Sequence, residues 1–169
     1  RIVTDHIADY LFCSTSIAVK NLRNEGISTN TYLIGDLMAD ALYAMHPIIK
    51  NKSSSLLQKY NIIKNEYLLL TIHREENTIN KIKLSNILHA ISETEYATVF
   101  PAHPRTKKAI TDFGLMDEIV KSPNIMLIDP VPYSELLTLQ YNAKKIITDS
   151  GGIQKEAYLL RKPCITLRF

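Results

Sequence analysis

The strand-like pair Ile147-Thr148 runs through Asp149-Ser-Gly-Gly152 into a helix-like Ile153-Gln-Lys-Glu156, an arrangement suited to holding an anion. Asp149 or Ser150 can cap the helix, and Gly151 and Gly152 let backbone N–H groups approach a ligand with no Cβ in the way. The helix N-terminus adds partial positive charge. Glu156 lies six residues past Ser150, nearly two turns into the helix, on the flank of the face set by Ile153, Ala157 and Leu160. A carboxylate there can accept hydroxyl protons from a ribose. The same run also fits an ordinary strand-to-helix turn with a solvated Glu156.

Three further polar clusters follow apolar runs. His73-Arg-Glu-Glu-Asn77 combines an imidazole, a guanidinium, two carboxylates and an amide. His73 is suited to proton transfer or phosphate binding, and Arg74 to neutralising a diphosphate through forked hydrogen bonds. The bland alternative is a solvated loop whose Glu75 and Glu76 complement the dipole of the next helix. Pro101-Ala-His-Pro-Arg105 presents His103 and Arg105 from a turn fixed by proline, and a purely structural His103 fits the same run. Asp129-Pro-Val-Pro-Tyr133 offers Tyr133 or Leu136 as an apolar edge for a base, although core packing is the favoured reading of both.

These clusters need a scaffold that brings strand ends together. Tyr67 to Ile72, Ala97 to Phe100, Ile125 to Ile128, Lys145 to Thr148 and Cys164 to Leu167 are short runs rich in Leu, Ile and Val, as parallel strands buried on both faces require. Helical spacing links Ile79, Ile82, Leu84, Ile87, Leu88 and Ile91, and again Leu136, Leu137 and Tyr141 after the Pro130-Val-Pro132 start signal. The alternation predicts an α/β fold with a doubly wound, Rossmann-like parallel sheet, in which ligands sit at the carboxyl ends of the strands. Upstream, a helix over Ile2 to Tyr10, a strand over Leu11 to Ser14 and a helix over Ile17 to Glu25 lead to a connector, Gly26 to Tyr32. Lys50-Asn-Lys-Ser-Ser-Ser55 is polar enough to predict a loop. Residues 1–30 are therefore expected to form the tail of a preceding domain, and residues 31–169 a ligand-binding domain incomplete at its C-terminus. Arg1 is not an initiator Met and the chain stops within Cys164-Ile-Thr-Leu-Arg-Phe169, so a fragment of a longer protein is expected.

Composition narrows the classes. The 169 residues are 46% hydrophobic and 22% charged, with a formal net charge of +3, which is ordinary for a globular domain. The cations are scattered, which suits small anionic ligands and supplies no nucleic-acid stripe. Cys13 and Cys164 fit no metal-ligand spacing and read as buried small hydrophobes of a reducing compartment. No apolar run reaches the ~20 residues of a membrane span, and no signal peptide is visible. A cytoplasmic protein that binds neither nucleic acid nor membrane is expected.

In order and type, His73-Arg-Glu-Glu-Asn77, Pro101-Ala-His-Pro104, Asp129-Pro-Val-Pro-Tyr133, Thr148-Asp-Ser-Gly-Gly-Ile-Gln-Lys-Glu-Ala157 and Leu167-Arg168 resemble the motifs of non-hydrolysing UDP-N-acetylglucosamine 2-epimerases. Thr4-Asp-His-Ile-Ala-Asp9 and Gly35-Asp-Leu-Met-Ala-Asp-Ala41 resemble that family too. The Asp-Ser-Gly-Gly run is the most specific, since hydrolysing relatives tend to carry a Ser-rich version.

The resemblance implies a glycosyltransferase-B-like fold of two Rossmann-type domains, of the UDP-glycosyltransferase/glycogen phosphorylase type, with UDP held mainly by the second. By it, Ser150, Gly151 and Gly152 bind the diphosphate, Glu156 the ribose hydroxyls, and Arg168 the substrate, while His73 acts as a catalytic or orienting group. Arg74, Glu76 and His103 map to a second, regulatory UDP-N-acetylglucosamine site or to phosphate contact. Many bacterial members have two consecutive arginines where this chain has Arg74-Glu75, which is expected to weaken a regulatory anion site.

The implied reaction interconverts UDP-N-acetylglucosamine and UDP-N-acetylmannosamine, through elimination of UDP to a 2-acetamidoglucal and its re-addition, for surface polysaccharide. It needs no cofactor and no metal. Homodimerisation is implied, as is inactivity of this segment alone, because the family's principal catalytic carboxylates lie in the first domain, upstream of Arg1. Two alternatives remain open at this level: a glycosyltransferase of the same fold, and a non-catalytic UDP-N-acetylglucosamine-binding module.

Overall fold

A computed structural model describes residues 1–168. The chain divides into two compact units, Arg1–Ala44 and Met45–Phe169. The first contains α1 (Ile2–Ile7), β1 (Leu11–Cys13), α2 (Ser16–Asn24) and β2 (Thr31–Leu33). Thr15 caps α2 by accepting a hydrogen bond from the Ala18 N–H at 3.1 Å. The expected connector ends in β2, which pairs in parallel with β1 in the register Leu11↔Thr31. A small core of Leu11, Cys13 and Leu22 lies beneath this pair.

The expected loop at residues 50–55 is helical, inside α3 (Leu37–Lys59), which also contains Pro47. The serines do not break it, because their hydroxyls bond back into the helix: Ser53 Oγ donates to the Ile49 carbonyl at 2.8 Å and Ser55 Oγ to that of Lys52 at 3.0 Å. Buried Ile49 and Leu56, one on each side of the polar run, keep the helical period that anchors the segment.

The second unit holds β3 (Tyr67–Thr71), α4 (Glu75–Thr78), α5 (Lys81–Ser92), β4 (Ala97–Pro101), α6 (Pro104–Asp112), α7 (Met116–Val120), β5 (Ile125–Ile128), α8 (Tyr133–Asn142), β6 (Lys145–Thr148), α9 (Gly151–Leu159) and β7 (Cys164–Thr166). Among the described residues its strands form one parallel sheet in the order β5-β4-β3-β6-β7. The strand period of two sends alternate residues to opposite faces. Leu68, Leu70, Ile72, Phe100 and Ile147 pack on one face with Leu84, Leu88 and Ile110. Tyr67, Leu69, Val99 and Ile146 pack on the other with Leu56, Leu139 and Ala157. Both faces are thus covered by helices, and β3 is buried along its whole length, as the doubly wound expectation requires.

Cys13 is buried as expected, but Cys164 is only half-buried. It opens β7, one of the two edge strands of the sheet among the described residues, and partial burial still pushes its thiol pKa up.

Candidate functional site

The winding of the sheet sets the position of the site. From β3 the chain steps outward through β4 to β5, then returns to the opposite side of β3 as β6 and continues to β7. The carboxyl ends of β3 and β6 therefore flank the point where strand order reverses, the place such sheets use for ligands. Thr71 and Thr148 end these strands side by side, with their hydroxyl oxygens 2.6 Å apart and buried. Thr148 Oγ1 also accepts from the Ser150 N–H at 2.9 Å, which fixes the turn that follows.

Asp149 is the hub of that turn. Its side chain is fully buried. Its carboxylate accepts from the His73 N–H at 3.1 Å to either oxygen, from the Arg74 N–H at 2.9 Å and from Asn77 Nδ2 at 3.0 Å, and its Oδ1 lies 2.7 Å from His73 Nδ1. Arg74 Nε donates to the Asp149 carbonyl at 2.8 Å. Asn77 Nδ2 also donates to the Leu167 carbonyl at 3.2 Å, tying in the segment after β7. The sequence offers Asp149 or Ser150 as the helix cap; the cap is Ser150, whose Oγ accepts from the Ile153 N–H at 3.4 Å. The available signal was an acid directly following a β-branched strand end, with an amide at Asn77 in the opposing loop.

Gly151 and Gly152 open α9, so their N–H groups have no carbonyl partner within the helix. They are the natural donors to an anion, backed by the helix dipole. A Cβ built on Gly151 would stand 3.1 Å from Nη2 of Arg168. The exposed Arg168 guanidinium therefore lies against the glycine turn and completes a cationic cradle.

A cavity of about 200 Å³ opens beside this cradle, with His73, His103 and Ser150 in its polar lining and Pro130, Val131, Leu136 and Ile153 in its apolar wall. Such pairing suits a ligand with one planar apolar part and one anionic part. His103 caps α6, its Nδ1 accepting from the Arg105 N–H at 3.2 Å. Arg74 is half-exposed, with Nη1 3.7 Å from Glu76 Oε1. No group of three or more His, Cys, Asp or Glu poised for a metal occurs among the described residues.

Glu156 lies off the cavity lining and is buried. Tyr133 OH donates to its Oε1 at 3.0 Å and Gln140 Nε2 to its Oε2 at 2.7 Å. Each carboxylate oxygen keeps a further acceptor site. Tyr133 is exposed rather than a core residue; its phenol pKa is pushed up to about 12 by partial burial, reinforced by the bond to Glu156. Gln140 carries no local signal in the sequence, because nothing nearby in the chain sets a buried amide on α8 opposite a carboxylate on α9.

This network makes a stability prediction. Glu156→Ala strands the buried Gln140 amide and leaves a void, and is expected to cost about 2–4 kcal/mol in chemical denaturation. Glu156→Gln is expected to stay within about 1 kcal/mol, because Gln140 can turn its now unpartnered buried Oε1 toward the new amide.

The sequence profile of the UDP-N-acetylglucosamine 2-epimerase family matches residues 1–169. A UDP-N-acetylglucosamine 2-epimerase homologue from Methanococcus maripaludis is 46% identical over 168 residues, 99% of this chain and 47% of that protein. A UDP-N-acetylglucosamine 2-epimerase from Methanocaldococcus jannaschii is 44% identical over 174 residues, 99% of this chain and 48% of its own length. The crystal structure of the M. jannaschii UDP-GlcNAc 2-epimerase in complex with UDP-GlcNAc and UDP aligns with a TM-score of 0.86 at 43% identity, covering 99% of this chain and 48% of that one. The chain thus spans about half the length of the curated relatives it matches, and its parallel sheet has the architecture of these glycosyltransferase-B-like proteins. With the motif order, the switch-point geometry and the profile in agreement over the whole sequence, this chain belongs to the UDP-N-acetylglucosamine 2-epimerase family.

Proposed function

We propose that this chain supplies the UDP-holding part of an enzyme that interconverts UDP-N-acetylglucosamine and UDP-N-acetylmannosamine. One observation carries the reading: Ser150-Gly-Gly152, His73 and Arg168 converge at the reversal point of a parallel sheet in a chain that matches the epimerase family throughout. Ser150, Gly151, Gly152 and Arg168 bind the diphosphate, Glu156 serves the ribose hydroxyls, and His73 faces the diphosphate and sugar. Arg74, Glu76 and His103 contact phosphate or a second nucleotide-sugar. The first compact unit, Arg1–Ala44, belongs to the preceding domain, so the boundary expected at residue 30 moves past β2, and the second unit belongs to the UDP-binding domain.

The chemistry accounts for these residue types. Departure of UDP puts negative charge on the leaving phosphate, which N–H donors at a helix start and a guanidinium stabilise. Removal and return of the C2 proton require positioned acid–base groups. The sugar passes through a 2-acetamidoglucal, so the route calls on no redox cofactor and no metal. The product feeds surface polysaccharide, and the working form is a homodimer. The compartment is the cytoplasm, in keeping with two free thiols; among the described residues no helix is long and apolar enough to cross a membrane.

Proton NMR of UDP-N-acetylglucosamine incubated with the intact protein in deuterated water tests the reading. Deuterium at C2 together with a mannosamine anomeric signal is the expected result. Intact, undeuterated substrate would sink it in favour of a binding module, and sugar transfer only on addition of an acceptor would favour a glycosyltransferase.

A further inference from the structure

We infer that the two histidines lining the cavity are pinned in opposite tautomers, so that His73 presents a proton acceptor and His103 a donor to the bound ligand. The inference rests on the reading of this cavity as the nucleotide-sugar site, but its first test does not. Asp149 receives three N–H groups, from His73, Arg74 and Asn77, on a buried carboxylate, an arrangement that fits an anion with acceptor sites only. His73 Nδ1, 2.7 Å from the same carboxylate, must then be the donor. The neutral ring therefore carries its proton on Nδ1 and offers the lone pair of Nε2.

His103 is fixed in the reverse sense. Its Nδ1 accepts the Arg105 backbone N–H at 3.2 Å, and a backbone N–H cannot accept in return. Nδ1 therefore has no proton of its own, and the neutral ring carries it on Nε2. Both imidazoles line one cavity with Ser150. A ligand placed there meets an Nε2 that can take a proton or accept a hydroxyl, and an Nε2–H that can donate to a phosphate oxygen. The division of labour is set by Asp149 and the start of α6 before any ligand arrives, a positioning role for Asp149 in addition to its tie between the loops after β3 and β6.

Nitrogen NMR of the ligand-free intact protein, isotopically labelled at histidine and held at pH about 8, reads the tautomers directly. His73→Gln and His103→Gln assign the signals. The expected spectrum has a protonated Nδ1 and bare Nε2 for His73, and the reverse for His103. The same tautomer at both rings, or the reverse assignment, overturns the proposal.

Asp149→Asn supplies a functional readout that lost stability alone would not reproduce. It is expected to shift His73 toward the Nε2–H form, leave His103 unchanged, and lower kcat for epimerisation about 10²- to 10⁴-fold with a much smaller change in KM. Retention of the wild-type His73 tautomer in the folded variant contradicts the positioning role. If the variant does not fold, the wild-type tautomers still decide the question. If both tautomers are as expected but no epimerisation occurs in the parent protein, the functional reading fails while the inference stands.

Discussion

Replacing His73 with Gln in the intact protein is expected, under the proposed function, to lower epimerisation about 10²- to 10⁴-fold in kcat, the range that a positioned acid–base group contributes, while leaving the protein folded. Structural tolerance follows from the geometry. The His73 side chain is 47% exposed, so its loss opens no large void. Asp149 keeps its donors from the His73 and Arg74 backbone and from Asn77, so the buried carboxylate is not orphaned. Steady-state kinetics beside a denaturation curve separates the outcomes. A variant with near-normal kcat would remove His73 from the chemistry, and one that merely unfolds would assign it to the scaffold.

The second large effect is expected from Gly151→Asp, which is predicted to weaken UDP binding about 10- to 100-fold. The backbone at Gly151 does not require glycine by a positive φ, and the position is exposed at the start of α9. The near contact is the mobile end of Arg168, 3.1 Å from the added Cβ, so the side chain can be accommodated by moving that guanidinium. The loss instead comes from charge. A carboxylate ~5 Å from the diphosphate repels it by roughly 1–3 kcal/mol at an effective dielectric between those of surface and water, and it also draws Arg168 away from the ligand. Calorimetric titration of UDP measures the change, with Gly151→Ala as the uncharged control that is expected to lose less. Equal affinities for wild type and Gly151→Asp would place the anion elsewhere.

Local chemistry was legible from the sequence, and long-range pairing was not. The strands were readable because a parallel strand covered on both faces is a continuous apolar run, as in Tyr67-Leu-Leu-Leu-Thr71. The glycine turn was readable because cap, turn and helix start are adjacent in the chain. Helix α6 left a faint trace: of its residues only Thr106, Ala109 and Ile110 are buried, too few apolar positions for a clear period. The serine run in α3 read as a loop because its composition is polar, whereas the hydroxyls satisfy helix carbonyls. Asp149 reads only as a cap in sequence because its partner His73 lies 76 positions away; nothing near Asp149 indicates where its carboxylate goes. Glu156 reads as a flanking position of its helix, whereas its burial and its bonds to Tyr133 and Gln140 come from a neighbouring helix and depend on packing.

The central claim is that the end of β6 and the start of α9 hold UDP. Amide hydrogen exchange of the protein with and without UDP addresses it most directly, because the proposed ligand bonds are made by backbone N–H groups with no helical partner of their own. Slowed exchange centred on Gly151 and Gly152, with a smaller effect around His73, is the predicted result. Unchanged exchange at those two amides under saturating UDP, or protection confined to another part of the chain, would contradict the account.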